Sequence, residues 1–153
     1  MDAMPSTRTT CSQILVQFLV NYPLESKRIK QHLNFLLKNS GFKSESGRIA
    51  VLETLKLVIE RFPLEVLDNF AELLFFSFAL RLANDRSAEV KKTTFEVLKK
   101  LLQRTERWPQ MLSNVLSIHA KTLEQPEDEE EEVNFEKRDL LQKTQCHLLS
   151  LFV

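Results

Sequence analysis

Apolar residues recur at helical spacing along the whole chain, in segments divided by short polar or proline-bearing breaks. Residues 12–22 carry Ile14, Leu15, Phe18, Leu19 and Tyr22 on one stripe, widened by Val16 and Val20. Residues 24–38 carry Ile29, Leu33, Leu36 and Leu37, and Asn39-Ser40-Gly41 supplies a stop. Residues 48–62 repeat the first type through Ile49, Leu52, Leu55, Val58, Ile59 and Phe62, with Ser46 expected as the N-cap. Residues 64–82 are apolar nearly all round. Leu73, Leu74, Phe75, Phe76 and Phe78 cannot all face one partner, so this segment is expected to be sandwiched between its neighbours. Asn84-Asp85-Arg86-Ser87 breaks and recaps the chain before Val90, Thr94, Val97, Leu98, Leu101 and Leu102 continue the pattern. Residues 110–123 and 140–152 read as two further helices.

Three prolines directly follow an aromatic residue: Tyr22-Pro23, Phe62-Pro63 and Trp108-Pro109. The first two continue alike, as Leu24-Glu25 and Leu64-Glu65. Proline disfavours helix in the residue before it and suits the first turn of the next helix. Each pair therefore predicts a corner between two helices, with the ring buried against the hairpin. The resulting all-α hairpins match the period of HEAT and armadillo solenoids, about 40 to 47 residues. A closed helical bundle is the rival arrangement. Asn84-Asp85 through Val90-Lys91 also resembles the HEAT pattern of an acidic cap followed by a valine and a basic residue. The predicted organisation is a disordered N-terminal tail over 1–10 and HEAT-like hairpins over about 11–41, 46–84 and 86–124. An acidic loop over 125–133 and a lone helix over 134–153 follow. An unpaired last helix makes the chain look cut from a longer array.

Composition narrows the class further. Only two glycines and five prolines occur among 153 residues, too few to turn the many strands of a β-sandwich or barrel. Cys11 and Cys146 lie far apart, without partners at metal-ligand spacing, which predicts a reducing compartment. The first ten residues are polar and lack the apolar core of a signal peptide. The apolar run 73–76 is broken by Ser77 and flanked by Glu72 and Arg81, so no membrane span is expected. An intracellular soluble protein is the expectation.

Catalytic chemistry finds no footing. His32, His119 and His147 are scattered, and neighbouring Cys146 and His147 point about 100° apart on a helix. Gly41 and Gly47 are too isolated for a phosphate loop. Gly41 reads as a helix stop, and Gly47 as either easing a turn or permitting close packing. Neither enzyme activity, a metal, a cofactor nor a small-molecule substrate is expected.

The formal net charge of zero conceals segregation, with blocks of +4 (residues 1–44), −3 (45–85), +4 (86–124) and −5 (125–153). Lys100, Arg104 and Arg107 fall at i, i+4, i+7, and Lys92 and Lys99 form a second row nearby, a candidate phosphate-contacting or partner-binding face. Lys27, Arg28 and Lys30 form a smaller candidate set. The plainer reading is a solvated face with Glu89 and Glu96 as intrahelical partners. The phenylalanines lie on apolar stripes and read mostly as core, with no exposed aromatic evident for stacking on bases. The run Glu127-Asp128-Glu129-Glu130-Glu131-Glu132 reads as a solvating loop, or alternatively as a lure for a basic protein or a cover for the basic face.

One family shares much of this sequence. Tyr22-Pro23-Leu24, the stretch 27–30, Leu33, Phe35-Leu36-Leu37, Glu45-Ser46-Gly47-Arg48 and Leu52-Glu53 resemble the HEAT-repeat family called down-regulated in metastasis, of the small-subunit processome. Phe62-Pro63, Leu80-Arg81-Leu82, Asn84-Asp85, Lys91-Lys92 and the stretch 148–153 extend the resemblance, and Glu45-Ser46-Gly47-Arg48 is its most distinctive element. The resemblance implies a nucleolar, non-catalytic scaffold that binds pre-rRNA and processome proteins and supports processing towards 18S rRNA. The alternative is a HEAT-repeat adaptor for protein cargo or a regulatory complex, without RNA contact.

Overall fold

Local signals start each helix, and packing decides how each is used. The computed structural model describes residues 5–123. They form α1 (Pro5–Asn21), α2 (Ser26–Asn39), α3 (Glu45–Arg61), α4 (Leu64–Asn84), α5 (Ala88–Arg104) and α6 (Trp108–Leu123), with no strand among the described residues. The helix begins at Pro5, so residues 5–10 are not the disordered tail that polarity alone predicts. Proline's fixed φ and missing N–H suit a first helical turn.

The cap of α3 also differs from expectation. Ser44, in extended backbone, accepts the Gly47 N–H on its hydroxyl at 3.3 Å, while Ser46 lies inside the helix with its Oγ 2.8 Å from that of Ser44. A Cβ at Gly47 would lie 3.1 Å from the exposed Phe42 ring, a close approach that a shift of the ring relieves. At the start of α5, within the break expected at 84–87, Ser87 accepts the Val90 N–H at 3.2 Å.

The helices stack in two layers. α1, α3 and α5 lie side by side, and α2 and α4 form the second layer, α2 touching α3 and α4 touching α5. This alternation is the all-α solenoid expected from the repeat. Leu52, Leu55, Val58 and Ile59 of α3 and Val97 and Leu98 of α5, helices that pack on each other, are all without measurable exposure.

Two packing expectations need correction. On α4, Leu74, Phe75 and Phe78 are buried, but Phe76 and Leu80 remain 39% and 67% exposed. Its neighbours α2 and α5 leave part of the circumference uncovered. Of the aromatic-proline corners, only Phe62 is buried; Tyr22 and Trp108 are 56% and 44% exposed. Phe62 sits where α3 turns into the most enclosed helix. Tyr22 closes the outer face of α1, stacked on Phe18 at 5.3 Å, and Trp108 is itself the first residue of α6. The expected acidic loop, the lone last helix, Cys146 and His147 lie outside the described residues.

Candidate functional site

The distinctive Arg48 belongs to a structural knot. Its Nη2 donates to Asp85 Oδ1 at 3.1 Å and its Nε lies 3.0 Å from Oδ2. Its Nη1 donates to the Phe42 and Lys43 carbonyls at 3.0 and 3.1 Å, clamping the turn between α2 and α3. Arg81 approaches the same carboxylate at 3.5 Å, and its Nη2 donates to Ser40 Oγ at 3.4 Å. Asp85 Oδ1 also accepts the Ser87 N–H at 3.0 Å, so one buried carboxylate ties together the ends of α2 and α4 and the starts of α3 and α5. Burial pushes the Asp85 carboxyl up, but the Ser87 N–H and the charges of Arg48 and Arg81 outweigh it and hold it below its ordinary value. Gly41 leaves room for this: a Cβ there would lie 3.0 Å from Arg81 Nη2.

The basic residues of α5 are divided by their neighbours. Lys100 pairs with Glu60 of α3 at 3.6 Å. Arg104 donates to the carbonyls of Ile59 and, at 3.1 Å, Phe62, capping the C-terminus of α3. Arg107 does not share this face, because α5 ends at Arg104 and Thr105 takes extended backbone. Asp68 accepts from the Thr105 hydroxyl and the Glu106 N–H, fixing that corner. Glu96 pairs across to Lys56 at 3.7 Å rather than along its own helix. Lys92 and Lys99 are exposed, on a stripe shared with Glu89 and Glu96, so their field is that of mixed charge.

A different arrangement appears on α2. Ile29, Leu33 and Leu36 bury one side, and Lys27, Arg28, Lys30, Gln31, Phe35 and Lys38 are exposed on the other. Arg28, Gln31, Phe35 and Lys38 fall at i, i+3, i+7, i+10 and so form one row. No acidic residue occurs from 26 to 44, and these cations make no ion pair among the described residues. Phe35 is 67% exposed in the middle of the row. Lys27, Arg28 and Lys30 are candidates from the sequence; Phe35, which stands off the stripe of Ile29, Leu33, Leu36 and Leu37, and Lys38 are not among them. The row was legible in its spacing; its exposure was not.

Among the described residues no group of three His, Cys, Asp or Glu side chains stands close enough to hold a metal ion, and no helix is long and apolar enough to cross a membrane. His32 is half-buried, edge-on to the Phe18 ring at 6.1 Å.

No family model matches the chain. It is similar to U3 small nucleolar RNA-associated protein 20 of Schizosaccharomyces pombe, with 31% identity over 101 residues. The aligned stretch is 66% of this chain and 4% of that protein, so the chain corresponds to a short segment of a much longer relative.

Proposed function

We propose that this chain, a homologue of a short part of U3 small nucleolar RNA-associated protein 20, is a non-catalytic scaffold in small ribosomal subunit biogenesis. It acts in the nucleolus as part of the small-subunit processome, contacting pre-rRNA and processome proteins and supporting processing towards 18S rRNA. The homology carries the reading, and the architecture supports it. Stacked helices bury their apolar faces on one another and leave long outer faces for partners.

A pull-down of the full chain from nuclear extract tests the proposal. Co-recovery of U3 small nucleolar RNA with precursors of the small subunit is expected; recovery of unrelated protein cargo without these RNAs would sink it. The second outcome describes a protein-binding adaptor. That reading draws on the outer face of α1, where Ile14, Phe18 and Tyr22 are 62%, 42% and 56% exposed at i, i+4, i+8.

A further inference from the structure

We propose that the outer face of α2 is a platform for unpaired RNA, on which Phe35 stacks against a base while Lys27, Arg28 and Lys38 contact the flanking phosphates. It rests on the RNA-contacting reading above and names the site and the form of RNA. Three observations carry it.

First, charge. α2 is the described helix with several exposed cations and no acidic residue, whereas on α5 the cations are paired, spent on a cap or interleaved with glutamates. Four cations against the single carboxylate of the N-cap Glu25 leave a net positive field that attracts a polyanion, and the mixed stripe of α5 does not. Second, the aromatic ring. Phe35 is 67% exposed, while Leu33 and Leu36 beside it are buried and anchor the helix beneath it. A ring standing among unpaired cations suits a nucleobase, whose face it covers while lysine or arginine reaches the backbone. Third, geometry. Arg28 to Lys38 spans about 15 Å along the helix, with Phe35 between them, so cation and ring alternate along one line. A duplex keeps its bases stacked and inaccessible to a protruding ring, so the arrangement favours single strands, loops and bulges. Positive charge alone would serve either form. The ring decides between them.

The test is fluorescence anisotropy on the full chain, with a uridine-rich single strand of about twelve nucleotides and a duplex of matching length, across a salt series. The single strand is expected to bind more tightly. Phe35→Ala should weaken it by about 5- to 150-fold, with the salt slope unchanged. Phe35→Trp should keep the affinity, and Phe35→Leu should not restore it. Replacing Lys27, Arg28 and Lys38 together by alanine should flatten the slope of log affinity against log salt by about 2. Thermal melts check folding, and the tryptophan–leucine pair still decides the question should the alanine variant prove unstable. Wild-type affinity in Phe35→Ala, full affinity in Phe35→Leu, or a preference for duplex would overturn the proposal; the leucine result would mark an apolar anchor for a protein instead. Recovery of small-subunit precursors with RNA binding indifferent to Phe35 removes this inference and leaves the scaffold reading. RNA binding that depends on Phe35 without such recovery does the reverse.

Discussion

Without the Asp85 carboxylate, Arg48 and Arg81 would face each other across a nearly closed space, and the Ser87 N–H would lose its acceptor. The Asp85 side chain is 3% exposed, while Arg48 and Arg81 keep 15% and 25%. Asp85→Ala should therefore cost about 2–4 kcal/mol in urea unfolding, near the range for breaking a buried pair. The pH dependence has a definite sign. A carboxyl held below its ordinary 3.8 when folded adds stability that is complete above that value and is lost as pH falls through the folded pKa. The gap between wild type and Asp85→Asn should accordingly narrow below about pH 4, as paired acid titrations of unfolding would show. Arg104 obeys a different rule, because it serves carbonyls rather than a charge. Arg104→Lys should still cost about 1 kcal/mol, since an ammonium lacks the planar fork that spans two acceptors. Equal thermal stability of the two proteins would refute the cap. Charge reversal at Arg104 would disturb the α3–α4 corner, which makes it a poor probe of RNA contact.

At the scale of the element, helix starts here depend on the residue whose backbone is extended, not on the nearest serine to the apolar run. Ser44 and Ser46 both precede that run, and only Ser44 presents its hydroxyl to an unsatisfied N–H. Ser44→Ala should lower stability by about 1 kcal/mol and Ser46→Ala by clearly less, a contrast that differential scanning calorimetry resolves. Gly47→Ala shows two effects in competition. Alanine inside a helix gains about 0.5–1 kcal/mol over glycine, while the new methyl presses on the Phe42 ring. Phe42 is 55% exposed and can move aside, so the expected outcome is neutral to mildly stabilising. A loss above about 1 kcal/mol would show the ring to be fixed.

Across the whole molecule, the stacking of layers sets which apolar residues carry stability. Phe75 is fully buried and Phe76, the next residue, is 39% exposed, although the sequence presents them as equals. Phe75→Ala should cost about 3–5 kcal/mol and Phe76→Ala about 1 kcal/mol, measured as the shift in denaturation free energy. The layers also decide where charge is available. The α3–α5 seam brings Glu60 to Lys100 and Lys56 to Glu96, drawing on the +4 block of 86–124. α2 packs on α3 and α4, and its cations make no ion pair with either among the described residues.

Much of the helical plan was legible in the sequence by itself. The apolar period, the break and recap at 84–87 and the stacked hairpins all follow from local rules, because a helix repeats every 3.6 residues and caps act within one turn. Residue spacing likewise put Arg28, Phe35 and Lys38 on one row of α2. Tertiary structure alone decided what each face meets. Arg48 finds Asp85 37 positions away, Arg104 finds Ile59 45 positions away, and Ser12 finds Thr54 42 positions away. Partners at that separation are chosen by which helix lies alongside, and periodicity within one helix holds no information about its neighbour. For that reason Arg104, a surface cation by its spacing, is a cap. Phe35, of a residue type expected mostly in the core, stands exposed.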